Sequence, residues 1–133
     1  MSDARAIMPP ELPREPAERT VYSYGVLHGS TLHVSGVVAF DADANIVGEG
    51  DIEAQTEQVM KNLKAVVEEA GGTIDDVVST TTYLVDVAHA PVVSAARAAW
   101  FTGAVKPTHT VIGVAALARP QFLIELQAVA ELD

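Results

Sequence analysis

The chain has no cysteine, few cations and no long apolar run, and each of these features excludes a class of function. Its 133 residues include 18 Asp and Glu against 8 Lys and Arg, giving a formal net charge of -10. Without thiols there is no disulfide framework, no thiol nucleophile and no thiolate metal site. The negative charge disfavours nucleic acids and anionic membranes as partners, because both require a basic face. No apolar stretch approaches the roughly 18 residues that cross a bilayer. Thiol chemistry, nucleic-acid binding and membrane spanning are therefore not expected of this chain.

Recognisable targeting and cofactor motifs are also absent. Residues 1–19 lack the apolar core of a signal peptide, so a cytoplasmic location is expected. The templates G-x-G-x-x-G, Walker and G-x-S-x-G do not occur. Four histidines are present, but no two of them have the i, i+4 spacing of a helical metal site: His28, His33, His89 and His109. We therefore expect neither a metal nor a cofactor.

Proline divides the chain into an arm and a domain. Four of the seven prolines fall within residues 1–19, which predicts an extended arm without regular structure. The remaining residues, 20–133, are long enough for one domain with a buried core.

Within residues 20–133 the patterns predict the order β-β-α-β-α-β-β. Hydrophobic residues recur at helical spacing after Asp51, a candidate N-cap, and this helix ends at Gly71. The predicted elements are strands in 20–29 and 30–40, a helix in 51–70, a strand in 75–87, a helix in 90–103, and strands from His109 and from Phe122. One sheet with two helices on one face is an α+β fold. Because the helices can cover only one of two faces that look apolar or small, we expect a homo-oligomer.

Two polar residues are unusual for the strands that contain them. Glu125 interrupts a nearly continuous apolar strand. In "KPTHTV", His109 is the first residue of a segment whose pattern predicts a buried strand. Buried polar groups are costly without partners. One interpretation makes them structural, with Glu125 at a polar patch of a subunit interface and His109 at a strand edge. The other places both in a pocket, where they contact a substrate.

Weaker candidates lie in the first two strands. Tyr22 and Tyr24 are two residues apart, so in a strand both side chains should point to the same face of the sheet. They would be either core residues or residues of a pocket. Ser35 and Gly36 interrupt a strand, either as a β-bulge or as a place where a ligand approaches the backbone.

From Val21 to Leu132 the chain resembles the RidA (YjgF) family of small trimeric proteins, best known as enamine and imine deaminases. The resemblance rests on "YSYGV", "LHVSGVVAF", "GDIEAQTEQVMKNLKAVVEEAGGTIDDVVSTTTYLVDV", "KPTHTVIGVAAL" and "LIELQAVA". It implies a chorismate-mutase-like fold, a homotrimer whose sheets close into a barrel-like core, and three clefts between subunits.

The resemblance also assigns roles to particular residues. His109 matches the position of an arginine that clamps the substrate carboxylate in deaminating members. Histidine cannot reproduce the planar fork or the permanent charge of arginine. Glu125 matches a glutamate that positions water or carries a proton.

Other matches describe the remaining pocket. Tyr22 matches a pocket tyrosine, and Ser35 with Gly36 matches a ligand-contacting strand. Ser94 replaces a frequent asparagine and Tyr24 a common glutamine. Arg119 or Lys106 could supply the cation that is missing at position 109.

Three functions remain open at this point. The first is a RidA-like hydrolase or deaminase acting on an imine, an enamine or a related metabolite, with Glu125 and His109 as acid–base groups. Because of His109, it is not expected to be a standard 2-iminoacid deaminase. The second is a metabolite-binding or accessory protein without turnover. The third is a different acid–base reaction in a specialised pathway.

Overall fold

The computed structural model describes residues 3–133, so residues 1 and 2 of the predicted arm lie outside the described part. Three α-helices and six strands occur in it. In chain order they are β1 (Ala4–Ile7), α1 (Arg14–Thr20), β2 (Gly25–His28), β3 (Thr31–Val37), α2 (Ile52–Glu69), β4 (Val77–Leu84), α3 (Ala90–Trp100), β5 (Thr108–Gly113) and β6 (Ile124–Glu131). From β2 to β6 this is the predicted order, and the α+β fold class is confirmed.

All six strands belong to one mixed sheet with the order β1-β2-β3-β6-β4-β5. Each neighbouring pair is antiparallel except β4 and β5, which are parallel and are connected through α3. A parallel pair requires such a crossover. β6 therefore lies in the interior of the sheet, and β5 forms an edge.

The expectation of an irregular arm over residues 1–19 is wrong for the described residues. β1 extends the sheet by pairing with β2. α1 starts after Pro13 and accommodates Pro16 in its first turn, where no intrahelical N–H is needed. Ile7 and Ala17 are buried in the core of the domain. The N-terminal segment thus belongs to the same hydrophobic core as the rest.

The long helix α2 supplies the centre of that core. Asp51 caps its N-terminus by accepting a hydrogen bond from the Ala54 N–H at 3.1 Å, as predicted. Past its C-terminus Gly71 has a φ of 97°, a conformation that favours glycine. The apolar stripe of α2 packs on the inward residues of the sheet, which are also apolar: Leu32, Val34, Leu84, Ile124, Leu126 and Ala128. Burial of these two surfaces is the main stabilising contribution.

Three amide side chains of α2 also fasten two loops to the helix. Gln55 donates to the Gln121 carbonyl at 2.8 Å and accepts from the Leu123 N–H at 2.9 Å. Asn62 donates to the carbonyl of Phe40 at 2.8 Å, and Gln58 donates to the same carbonyl at 3.2 Å. Loops 38–40 and 119–123 are thereby held in position relative to the sheet.

The face opposite to α2 and α3 has no cover in a single chain. It is more polar than the sequence suggested, because the Tyr83 hydroxyl donates to Gln127 and Ser79 and Thr81 lie beside them. β5 was expected to be buried, yet all its residues are exposed in the single chain. Its position at the sheet edge, with only β4 as a neighbour, explains the difference.

Candidate active site

A cavity of about 360 Å³ opens beside the bulge in β3 and the start of β6. We call it the carboxylate pocket, after Glu125. It brings together five of the residues singled out in the sequence: Tyr22, Ser35, Gly36, Arg119 and Glu125. α1 contributes Arg19 to its wall. Loops 38–40 and 119–123, fastened to α2, supply the aromatic floor of Phe40 and Phe122.

The side chain of Glu125 occupies the space that a side chain at position 36 would fill, and Gly36 has none. The β3–β6 register shifts between Val34 and Val37, which is the bulge that the Ser35-Gly36 pair suggested. A Cβ at Gly36 would lie 2.7 Å from the carboxyl carbon of Glu125 and closer still to one oxygen. A side chain at position 36 would therefore occupy the space that the Glu125 carboxylate fills.

Glu125 carries its charge without a neutralising partner in residues 3–133. No hydrogen bond or salt bridge reaches its carboxylate there, and burial raises the pKa of the side chain above its ordinary value. Burial also raises the pKa of the neighbouring Tyr22, and the charge of Glu125 contributes to that shift. A carboxyl group with a raised pKa in a cavity is suited to accepting and returning a proton.

Arg119 is one of the two cations that line the carboxylate pocket, the other being Arg19. Its guanidinium lies over the Phe40 ring, 5.0 Å from the ring centroid. Phe122 meets the same ring edge-on at 5.2 Å. The stacking holds the arginine by its face and leaves its N–H edge available to a ligand.

Tyr24 and Ser35 are occupied with internal hydrogen bonds. Val21 adopts a φ of 61°, so Tyr22 and Tyr24 follow a turn and do not lie in a strand as predicted. The buried Tyr24 donates its hydroxyl to the Pro13 carbonyl, and its ring meets Tyr22 at 86°. Ser35 donates its hydroxyl to the Ser23 carbonyl at 2.6 Å. Tyr24 therefore orients Tyr22 and lies outside the residues that line the pocket.

A second cavity, of about 370 Å³, lies between the C-terminal half of α3 and the segment before β5. We call it the arginine recess. Its lining residues are Ser94, Arg97, Ala98, Phe101, Lys106 and Pro107. Lys106 donates to the carbonyls of Phe101 and Gly103 at 3.0 and 2.7 Å. Its ammonium group is consequently engaged with the end of α3.

Arg97 is the residue that the sequence reasoning missed. It is only 9% exposed, and its Nη1 donates to the Thr80 hydroxyl at 2.8 Å. Its guanidinium lies 4.9 Å from the centroid of the Phe101 ring. Burial lowers the pKa of Arg97. The available signal was position, because Val93, Arg97 and Phe101 follow one another at intervals of four on the buried face of the helix.

His109 lies beside Arg97. It pairs with Thr80 across the β4–β5 ladder, so both side chains point to the α3 face. Partial burial lowers the pKa of His109, and the charge of Arg97 lowers it further. Both effects favour the neutral imidazole, which has one N–H donor and one acceptor nitrogen.

One chain does not bring His109 and Glu125 together. Glu125 pairs with Tyr83 on the open face, whereas His109 points to the helix face. β4 also separates their strands, so the two strands are not adjacent in the sheet. Ser94 is exposed and belongs to the arginine recess. The candidate residues therefore form two groups, one on each face.

Comparison with known proteins identifies the family. The family described as Endoribonuclease L-PSP matches residues 13–132. The chain belongs to the RidA (YjgF) family.

Solved structures agree with this assignment over nearly the whole chain. RidA from an Antarctic Psychrobacter is 29% identical, with a TM-score of 0.86 over 96% of this chain and 99% of the other. YyfA of the Rid protein family from Yersinia pestis is also 29% identical, with a TM-score of 0.88 over 97% and 99%. A Mycobacterium tuberculosis member of the YjgF/YER057c/UK114 family is 26% identical, with a TM-score of 0.84 over 98% and 100%.

The RidA family typically comprises imine and enamine deaminases. In residues 3–133 of this member no group of three or more His, Asp or Glu is arranged to hold a metal ion. None of the helices described combines the length and the apolar character that crossing a bilayer requires.

Proposed function

We propose that this protein is a RidA-like small-molecule hydrolase that acts on an imine, an enamine or a related metabolite in a cleft between subunits of a homotrimer. The observation that carries the proposal is Glu125, a half-buried carboxyl group without a hydrogen-bonding partner in residues 3–133, placed in a cavity beside Tyr22 and Arg119. A cytoplasmic location belongs to the same proposal. So does the absence of nucleic-acid and membrane partners, which the net charge of -10 favours.

The chemistry requires water and one proton carrier. Water adds to the carbon of the C=N bond while the Glu125 carboxylate accepts one of its protons. The protonated carboxyl group then returns the proton to the nitrogen, which gives a carbinolamine. The carboxylate next takes the proton of the new hydroxyl group as the C=O bond forms and passes it to the nitrogen, which leaves as ammonia when the C–N bond breaks. An enamine first needs a proton on carbon, and the same carboxyl group can deliver it.

Threefold closure would supply what one chain lacks. His109 and Glu125 lie on opposite faces of one sheet, so they can line the same cleft only if two subunits contribute to it. The open face and the exposed β5, with Val111 and Ile112 at least one-third exposed, are surfaces that such an interface would bury.

The substrate is not expected to be a standard 2-iminoacid. His109 stands where deaminating relatives are expected to carry a clamping arginine, and a neutral imidazole cannot form a bidentate pair with a carboxylate. We expect 2-iminopropionate to be hydrolysed more slowly than by an arginine-bearing relative.

The test compares the wild type with Glu125→Gln on imines released by amino-acid and amine oxidases. We expect the wild type to accelerate ammonia release from at least one imine, and the variant to lose roughly 100-fold or more of that rate. Sedimentation should show the same oligomer for both proteins. Equal rates would exclude Glu125 as the proton carrier.

A non-catalytic binding or accessory role is the alternative. It predicts that no imine or enamine reacts faster than in buffer, although a ligand binds. A different acid–base reaction with His109 as the base predicts activity that survives Glu125→Gln and is lost in His109→Ala.

A further inference from the structure

We propose that Arg97 is an anion-binding residue and that the arginine recess takes the carboxylate of the small molecule bound by this protein. The expectation that this molecule contains an imine or enamine group rests on the proposed function. The carboxylate is an addition, and it is inferred from Arg97 itself.

The first observation is a buried charge without a countercharge. Moving a guanidinium out of water is costly unless an opposite charge or several hydrogen bonds replace the lost water. Within residues 3–133 no carboxylate lies within 4.0 Å of Arg97, whereas the three salt bridges found there involve exposed pairs on helices α1 and α2. The contacts of Arg97 are neutral: the Thr80 hydroxyl and the Phe101 ring.

The second observation is the direction of the remaining donors. Arg97 uses Nη1 for Thr80 and one face of its plane for Phe101. No other hydrogen bond in the described residues involves its guanidinium, so Nη2 and Nε remain available. Two parallel N–H groups match the two oxygens of a carboxylate. The guanidinium also lines the recess, so a ligand can reach it.

The third observation is the number of positive charges in the arginine recess that are free to contact a ligand. Lys106 is the second cation of the recess, but its donors are directed at two carbonyls of its own chain. One cationic group is thus open to a ligand, and the chain as a whole is strongly acidic. Both facts favour a singly charged carboxylate over a phosphate. Neutral His109 can donate an additional hydrogen bond from the adjacent strand.

Arg97 thereby places a cation near position 109, but it does so from α3 and not from β5. A carboxylate held there would lie differently from one clamped at position 109, so slow hydrolysis of 2-iminopropionate is still expected. His109 and Arg97 both lie over Thr80, one from the neighbouring strand and one from α3. Arg97 on α3 thus supplies a positive charge close to the point where β5 carries the neutral His109.

The probe is 2-oxobutyrate, a stable carboxylate ligand, with 2-butanone as the neutral counterpart and inorganic phosphate as the competing anion. Calorimetry and the side-chain Nε–H resonance of Arg97 are measured on the full chain at pH 7. We expect saturable binding of 2-oxobutyrate with a shift of that resonance, no effect of 2-butanone, and weaker binding of phosphate. Tighter binding of phosphate would contradict the ligand class.

Variants separate this site from the other arginines. Arg97→Gln should weaken 2-oxobutyrate at least tenfold and Arg97→Lys less, since it keeps the charge but loses the fork. Arg5→Gln, which removes an exposed charge on β1, is the matched control and should leave the affinity unchanged. If Arg119→Gln abolishes binding and Arg97→Gln does not, the carboxylate lies in the carboxylate pocket and the proposal is wrong.

An ion pair between subunits is the competing explanation for Arg97. It predicts that Glu125→Gln shifts the Arg97 resonance without ligand, that 2-oxobutyrate has no effect in the wild type, and that Arg97→Gln weakens the assembly. This result would overturn the proposal. Because 2-oxobutyrate binds without turnover, the result can be read even if Glu125 proves not to be catalytic.

Discussion

The carboxylate pocket and the arginine recess lie on opposite faces of one sheet, and they hold opposite charges in different ways. Glu125 fits because Gly36 lacks a side chain, and no group in residues 3–133 neutralises it. Arg97 is held by a hydroxyl and an aromatic ring, and it likewise lacks an opposite charge. Each site places a charge in the wall of a cavity and leaves it without an opposite charge.

The position of the two charges on opposite faces keeps both of them unpaired within one chain. A buried pair of opposite charges within one chain would neutralise itself and leave nothing for a ligand. Separation by the sheet prevents this, because the two groups cannot meet around β4. Threefold closure would then bring the acid–base group of one subunit and the cation of its neighbour to the same ligand.

The largest expected effect is on assembly. Thr81 lies at the centre of the open face, between Gln127 on β6 and Thr110 on β5. Thr81→Arg should prevent the faces from packing together, because a charged side chain would be buried without a partner. We expect the wild type to sediment as a trimer and the variant as a monomer at micromolar concentration.

The matched control is Glu69→Arg, at the exposed end of α2. It introduces the same side chain away from the open face and should leave the trimer intact. A wild-type chain that is monomeric at this concentration would contradict the proposed assembly.

A smaller effect is expected at His109, where the two sites would meet. His109→Ala should weaken ligand binding more than it lowers the melting temperature, since β5 is exposed and supports little core. His109→Arg should raise the hydrolysis of 2-iminopropionate about tenfold, the equivalent of about 1.4 kcal/mol from a charge-assisted bond. A coupled dehydratase assay measures this rate. If His109→Ala changes only the melting temperature, His109 is structural.

The smallest effect is a pH-dependent change in stability. Burial raises the pKa of Glu125 above 4.5, so the folded protein binds this proton more tightly than the unfolded chain does. Stability is therefore lost as the pH rises from that value through the raised pKa. Glu125→Gln lacks this loss, so its melting temperature should match the wild type near pH 4 and exceed it slightly at pH 7. Identical curves at both pH values would mean that the carboxylate is fully solvated.

The sequence predicted the fold from β2 onward because its signals there are local. Helical spacing in α2, a cap at Asp51 and a glycine at its end all point to the same structure. The N-terminal part differs from the prediction, because its prolines predict an extended arm whereas the structure has β1 and α1 there. Its strand and helix exist because β2 and the core provide partners for Ile7 and Ala17, and such tertiary contacts leave no local signal.

The candidate site was predictable only by residue type. Glu125 stood out because a carboxylate in an apolar strand is unusual. Its separation from His109 depends on strand order, with β4 lying between β5 and β6, and no pattern along the chain encodes that order. Arg97 escaped notice because arginine on a helix is ordinarily solvated, although its four-residue spacing from Val93 and Phe101 marked the buried face.

The amides of α2 have a consequence for how tightly a ligand can be held. Loops that must become ordered on binding subtract their lost conformational entropy from the affinity. Here Gln55, Gln58 and Asn62 already fix both loops that frame the carboxylate pocket. That entropy is lost when the chain folds, before any ligand arrives. For a ligand bound in the carboxylate pocket as proposed, selectivity would accordingly be set by rigid shape, and a substitution deep in the helix would change affinity without touching the ligand.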